Sequence, residues 1–179
     1  MLRGEDHDLV LSRIALAIML LAGARGARAQ EQVAPAAGDL GFIAEFLPSH
    51  ARVRRDTFDD PNWSGGDSFM KGIAKAEAGD CAVALYTHGT GQDFKIQIDF
   101  RHQITVTRRS TPETIVLDGD DQAIHYWPIA WDHATPKVTP GDPTALPSLL
   151  LGLSNADAGV RLASASGHAL EACGGGPRR

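Results

Sequence analysis

The stretch CAVALYTHGTGQDFKIQIDFRHQITVTRR, residues 81–109, has the clearest periodicity in the chain. In its central part an apolar side chain occupies every second position, at Phe94, Ile96, Ile98 and Phe100. This alternation is typical of a β-strand that buries one face. The stretch therefore predicts the sheet around which the rest of the fold is arranged.

The residues on either side extend this sheet. Residues 81–86 form a short apolar run that predicts a buried strand, and the glycines of residues 88–91 predict a turn after it. The apolar parity of the central strand continues to Val106, which favours one long strand, with a turn at residues 101–103 as the alternative. Two shorter strands are predicted at residues 114–117 and 123–127.

Three segments have the spacing of helices. The first, residues 39–47, has Asp39 as its N-cap, an apolar stripe and Pro48 as its stop. The second, residues 67–79, is capped by Asp67 or Ser68. The third follows Asp142-Pro143 and ends near Asn155, with leucines at positions 146, 149, 150 and 153.

These elements predict an α+β fold in which an antiparallel sheet is covered by the leucine-rich helix and by short N-terminal helices. Residues 160–163 and 168–173 are expected to close the sheet as a hairpin. A single domain should span residues 39–173. Residues 30–38 are interpreted as a flexible linker, and residues 174–179 as a disordered tail.

The N-terminus resembles a secretory signal peptide. An uncharged run at residues 14–24 follows Arg3 and Arg13, and Ala27 and Ala29 are small residues at the positions that a signal peptidase reads. We therefore expect residues 1–29 to be removed and the protein to be periplasmic or secreted. The alternative is an uncleaved anchor, although the run is shorter than the roughly 20 residues of a membrane-spanning helix.

Cys81 and Cys173 are the only two cysteines. In an exported protein such a pair predicts one disulfide, which would close a loop of about 90 residues and stabilise the fold by roughly 4–5 kcal/mol. Two free thiols in a metal or redox site are the alternative, but the chain has no C-x-x-C pair.

The composition argues against some partners. The chain has a net charge of −5, and removal of residues 1–29 leaves 13 basic and 19 acidic residues, a net charge near −6. An acidic domain has no general attraction to nucleic acid or to an anionic membrane. No cofactor is expected, because no phosphate-binding G-K-[ST] loop occurs.

The densest cluster of functional residue types is IHYWPIAWDH, residues 124–133. Its aromatic side chains have flat apolar faces and polar edges that suit a sugar or another small molecule, so we predict a ligand site at Tyr126, Trp127 and Trp131. A metal site is a second hypothesis. Its ligands would be His125, Asp132 and His133.

Two further segments are weaker candidates. Asp60, Asn62 and Ser64 alternate before a glycine as in the first half of a calcium loop, but Lys71 stands where a bidentate Glu is needed. The segment is interpreted as a polar turn. The cluster of Arg52, Arg54 and Arg55 is interpreted as a solvated edge, with anion docking as the alternative.

The sequence contains no complete catalytic signature. We therefore expect a small exported protein of bacterial type that binds a ligand or a partner of the cell envelope or exterior without catalysis. The alternatives are a metal-assisted hydrolase that uses the His/Asp site, and an inhibitor of an extracellular enzyme.

Overall fold

The structure, a computed structural model, describes residues 33–54, 70–110 and 113–176. Residues Pro35–Arg179 belong to one compact unit, and the fold described below is the fold of that unit. Along the described chain its elements are α1 (Val33–His50), β1 (Ala51–Arg54), β2 (Met70–Ala78), β3 (Ala82–His88), β4 (Asp93–Asp99), β5 (Ile104–Ser110), β6 (Glu113–Gly119), β7 (Ile124–Asp132), β8 (Thr135–Val138), β9 (Thr144–Ala145), β10 (Ser148–Leu153) and α2 (Ala156–Cys173).

All ten strands belong to one antiparallel sheet, in the order β5-β6-β10-β1-β2-β3-β4-β7-β8, with β9 paired to β7. The centre is built from neighbours in the chain, because β2, β3 and β4 pair in succession. The strand β10 returns from the C-terminal half and pairs with β1 and β6. As a result β1, the first strand of the described chain, lies inside the sheet between β10 and β2.

The strand pairing places alternate residues on two faces. One face, the inner face, carries the core of the domain, and the other is the outer face. The fully buried side chains of the inner face include Val53, Val83, Leu85, Ile96, Ile98, Ile115, Leu117, Leu149 and Leu151. One-sided burial of this kind is usual for antiparallel sheets, whose other side can face water.

Both helices contribute to this core. The apolar stripe of α1 is buried as the sequence predicts, and α2 adds Ala158, Leu162 and Ala165. The helices also contact each other, because the Arg161 guanidinium of α2 lies 5.2 Å from the ring centroids of both Phe42 and Phe46 in α1. The helices thus form one layer over the inner face.

The structure confirms an α+β fold built on an antiparallel sheet with one disulfide, but it changes the assignment of the helices. The predicted leucine-rich helix is the strand β10, in which Leu149 and Leu151 enter the core while Leu150 faces the other way. The prediction was wrong because consecutive leucines satisfy the spacing of either element.

The C-terminal hairpin predicted at residues 160–173 is also wrong, since this segment is the helix α2. Asn155, expected to end a helix, begins one: its side chain accepts a hydrogen bond from the Ala158 N–H. Gly174 ends α2 in the left-handed conformation, with φ 81°. The Gly175 N–H donates to the Leu170 carbonyl, so the fold continues past Cys173 into the predicted tail.

The structure also corrects the helix predicted at residues 67–79 and the single long strand predicted from Phe94 to Val106. Residues 70–78 of the helix predicted at residues 67–79 form the strand β2, because pairing with β1 and β3 overrides the helical propensity of their Ala, Lys and Glu residues. The single long strand is also wrong. The chain turns after β4, and β5 pairs with β6 at the far edge of the sheet.

The helix α1 begins at Val33, inside the segment interpreted as a linker, and it continues past Pro48 to His50. Predictions for residues 1–32, for the polar loop of residues 60–65 and for Arg55 lie outside the described residues. Within the described chain, neither helix has the length and apolarity to cross a membrane.

The disulfide predicted from the cysteine count joins Cys81 to Cys173. It links the residue before β3 to the last residue of α2, at a sequence separation of 92. Cys81 has φ 53°, a left-handed conformation that few non-glycine residues adopt. The bond therefore ties the covering helix, not a final strand, to the centre of the sheet.

Replacing both cysteines with alanine should lower the free energy of unfolding by about 4 kcal/mol, because the unfolded chain regains the entropy of a large loop. Urea denaturation of the oxidised protein and of the double variant measures the difference. Reduced wild type serves as the control and should match the variant. A loss below about 1 kcal/mol would contradict the proposed role of the disulfide.

Candidate functional site

The outer face carries a row of four side chains across four neighbouring strands. Tyr86 of β3 lies opposite Lys75 of β2 on one side and Lys95 of β4 on the other, and Lys95 lies opposite Trp127 of β7. We call these four residues the aromatic row. Strands are spaced by about 4.8 Å, so the row is about 14 Å long.

Cations and rings alternate along the aromatic row, and each of the two rings is contacted by one lysine. The Lys95 ammonium lies 5.0 Å from the centroid of the Trp127 ring, and the Lys75 ammonium lies 5.8 Å from that of Tyr86. Such contacts are attractive because the face of an aromatic ring is electron-rich. The row thus consists of two cation–ring pairs on neighbouring strands.

Glu77 fixes one end of the aromatic row. Its carboxylate binds the Lys75 ammonium at 2.6 Å and accepts a hydrogen bond of 2.8 Å from the Tyr86 hydroxyl. These two hydrogen bonds lower the pKa of Glu77. Burial, followed by the bond to Glu77, raises the pKa of Tyr86 to about 12, so the phenol stays a hydrogen-bond donor at neutral pH.

A shallow depression lies along one side of the aromatic row. It is lined by Ala82 and Ala84, whose small side chains leave room between the longer ones of Glu77, Tyr86 and Lys95. At its end Arg101 makes a two-pronged contact with Asp99. Burial works to raise the pKa of Asp99, but the hydrogen bonds from Arg101 outweigh it, and the pKa is lowered.

A buried ion pair lies on the other side of the row, where β2 and β4 begin and β3 ends. The Lys71 ammonium binds the Asp93 carboxylate at 3.0 Å, and the two side chains are only 2% and 10% exposed. Lys71 lies on the inner face of β2, where it is paired with Val53 of β1. Asp93 lies on the outer face of β4, where it is paired with Ile129 of β7. The pair therefore joins the two faces at the rim of the sheet.

His88 and Trp131 stand above this ion pair. The second Asp93 oxygen lies 3.2 Å from His88 Nδ1, and the His88 ring packs edge-on against Trp131 at 5.4 Å. The Trp131 indole N–H donates to the Thr87 carbonyl, which fixes its ring. These side chains border a cavity of about 350 Å³, the His88 pocket, lined by Ala74, Lys75, His88, Trp131, His133 and Ala134.

The structure brings together some of the predicted ligand residues and separates others. Trp127 and Trp131 share the outer face of β7, four residues apart. Tyr126 lies on the opposite side, where its ring packs edge-on against Phe94 of the core at 5.4 Å. The ligand site predicted at these three residues stays a prediction, with its two tryptophans on one surface.

The three residues predicted to bind a metal lie along β7 and the turn that follows it. His125 is paired with Ala145 of β9 and lies beside Trp127, whereas Asp132 binds Lys137 at 2.5 Å. The His133 side chain is 98% exposed, with its Nε2 3.9 Å from Asp132. Among the described residues, no group of three or more His, Cys, Asp or Glu side chains is arranged to hold a metal ion.

Sequence reasoning missed the residues around the rim of the sheet. In the sequence, Lys71 stands out only as the residue that breaks the calcium-loop pattern, and no pattern distinguishes Asp93. The available signal was the presence of two lysines in the otherwise apolar and small-residue segment MKGIAKA, residues 70–76, and it did not distinguish Lys71 from Lys75. That signal gave no partner, because Lys71 and Asp93 are 22 residues apart in the chain.

No family model, no curated protein and no solved structure matches this chain.

Replacing Lys71 with Met should lower the free energy of unfolding by about 3–5 kcal/mol, because it leaves the Asp93 carboxylate buried without a cation. Lys75→Met is the matched control: its partner Glu77 is half exposed, so the loss should stay below about 1 kcal/mol.

Urea denaturation measures both values. The double variant Lys71→Met/Asp93→Leu should recover most of the loss, because it removes both charges together. Equal costs for Lys71→Met and Lys75→Met would show that the buried pair has no special importance.

Proposed function

We propose that the protein is an exported, non-enzymatic binding protein whose ligand lies on the outer face, across β2, β3, β4 and β7. The observation that carries the proposal is the aromatic row. Four strands align Lys75, Tyr86, Lys95 and Trp127 in a single line, with a depression on either side.

The chemistry of the row favours a small molecule with a flat ring. Ring faces such as that of Trp127 bind flat apolar surfaces, while the Lys95 ammonium and the Tyr86 hydroxyl can bond to polar groups at the edge of such a ligand. The lysines now lying over the rings have flexible stems, so a ligand can displace them at small cost. A sugar or a comparable ring compound has both properties.

Support for export comes from residues 1–29, which have the features of a cleaved signal peptide, and from the disulfide. Disulfides persist in oxidising compartments and are rare in the cytosol. The bond between Cys81 and Cys173 also fastens the helical layer behind the proposed binding face. We therefore place the working protein in the periplasm or outside the cell.

A hydrolase remains the second candidate, and the observation that favours it is the contact between His88 and Asp93. A carboxylate that holds one nitrogen of a histidine can orient the other as a general base. This pair differs from the His125, Asp132 and His133 set of the metal-site hypothesis. If the wild type hydrolyses an ester probe and His88→Gln does not, the result would favour the hydrolase.

The binding proposal predicts that Trp127→Ala weakens ring-compound binding by about 2 kcal/mol, roughly 30-fold, because Trp127 is the largest ring of the row. Saturation-transfer NMR with a library of neutral sugars, nucleosides and aryl amides identifies a ligand, and calorimetry measures its affinity.

Val160→Ala, a change at an exposed apolar residue on α2, is the matched control and should leave the affinity unchanged. Equal affinities of Trp127→Ala and wild type for every library ligand would remove the aromatic row as the binding surface.

The export proposal predicts that the full chain, expressed in a Gram-negative host, is recovered from the periplasm with Gln30 as its first residue and with both cysteines oxidised. Intact mass and N-terminal sequencing provide the measurement. Recovery from the membrane fraction with residues 1–29 still present would favour the uncleaved anchor instead.

A further inference from the structure

The His88 pocket combines an apolar wall with nitrogen-bearing side chains. Ala74, Trp131 and Ala134 provide the wall, and three groups able to carry positive charge border the same space: Lys75, His88 and His133. None of these six lining residues carries a carboxylate. At about 350 Å³ the cavity is within the range of small-ligand sites.

Asp93 determines how His88 can interact with a ligand. Because Nδ1 is 3.2 Å from the Asp93 carboxylate, its proton is directed to Asp93, and Nε2 is left on the opposite side of the ring. The His88 side chain is 66% exposed. A neutral His88 therefore presents a lone pair at Nε2, whereas a protonated His88 presents an N–H donor there.

Charged and titratable groups surround His88 on several neighbouring elements. They are Lys71, Lys75 and Glu77 on β2, Tyr86 on β3, Asp93 and Lys95 on β4, Asp132 on β7, His133 in the turn after β7, and Lys137 on β8. The three carboxylates in this set each contact a cation, namely Asp93 with Lys71, Glu77 with Lys75, and Asp132 with Lys137. A protonated His88 therefore adds positive charge to a site whose carboxylates already contact other cations.

We propose that the His88 pocket binds a small organic acid that carries a ring, with its carboxylate bonded to protonated His88 and its ring packed on Trp131. The Lys75 ammonium adds attraction to the same carboxylate. Binding takes up a proton at His88, so the affinity rises as pH falls. The inference rests on the proposed function, because the pocket adjoins the aromatic row through Lys75 and belongs to the same outer face.

The sign of the pH effect follows from the two states of His88. Histidine is the side chain that ordinarily changes charge between about pH 5 and 8. At the acid end Nε2–H donates to the carboxylate, and at the alkaline end the Nε2 lone pair repels it. A single proton taken up changes the dissociation constant by at most about tenfold for each pH unit.

The test compares aryl carboxylic acids with their neutral amides. Benzoate, phenylacetate, 3-phenylpropionate and indole-3-acetate are titrated into the oxidised protein by calorimetry, at about pH 5.5 and about pH 7.5. At least one acid should bind about tenfold tighter at the lower pH, and its amide should change less than about twofold. Repeating the titration in buffers of different ionisation enthalpy should show uptake of up to about one proton per acid bound.

His88→Gln should abolish the pH dependence while keeping the fold, because its side chain is exposed at the surface. His168→Gln is the matched control: His168 is similarly exposed, at 65%, and lies 3.8 Å from a carboxylate of its own, that of Asp39. This variant should bind the acids as the wild type does, with the same pH dependence.

The outcomes separate this inference from the proposed function. Amides and acids that bind equally well at both pH values would overturn the inference and leave the proposed binding face intact. A pH dependence that persists in His88→Gln would overturn the role of His88. Absence of acid binding, together with binding of a neutral ring compound that depends on Trp127, would also overturn the inference. Failure of every ring compound would overturn both proposals.

Discussion

One-sided burial of the sheet is the constraint on which the rest of the structure depends. Successive residues of a strand point to opposite faces, so a sheet covered by helices on one face keeps the other free for polar and aromatic side chains. Phe94, Ile96 and Ile98 therefore belong to the core, while Lys95 and Gln97 between them belong to the outer face. The disulfide stabilises this arrangement by holding α2 to the start of β3.

The ion pair of Lys71 and Asp93 connects the two faces of the sheet, because Lys71 lies on the inner face and Asp93 on the outer face. Burying both charges costs several kcal/mol of desolvation, so such a pair is weak evidence for stability and stronger evidence for a fixed local geometry. Here the second oxygen of Asp93 holds His88, and the His88 ring packs on Trp131. The buried pair thus orients a side chain that faces solvent, which connects the interior to the proposed site.

The sequence predicted those features that depend on local patterns or on counting. Alternation identified β4, the apolar stripe of α1 identified its buried side, and the count of two cysteines predicted their bond. The leucine-rich segment was assigned to the wrong element, because a run of leucines does not define a period. The helix α2 was missed, since most of the positions it buries are Ala, Gly or Ser, which give a weak hydrophobic signal.

The sequence by itself predicted an antiparallel sheet, one of the two helices of the described chain and the disulfide. It also determined that residues 124–133 hold an unusual density of aromatic and titratable side chains. Only the tertiary structure decided which of these lie together. The register of β2, β3, β4 and β7 aligned Lys75, Tyr86, Lys95 and Trp127, and the rim brought Lys71 to Asp93. Among these four strands, only the pairing of β4 with β7 joins strands distant in the chain. The register among β2, β3 and β4 depends on the geometry of their turns and on the irregularity between Ile73 and Lys75, which the alternation of residue types does not specify.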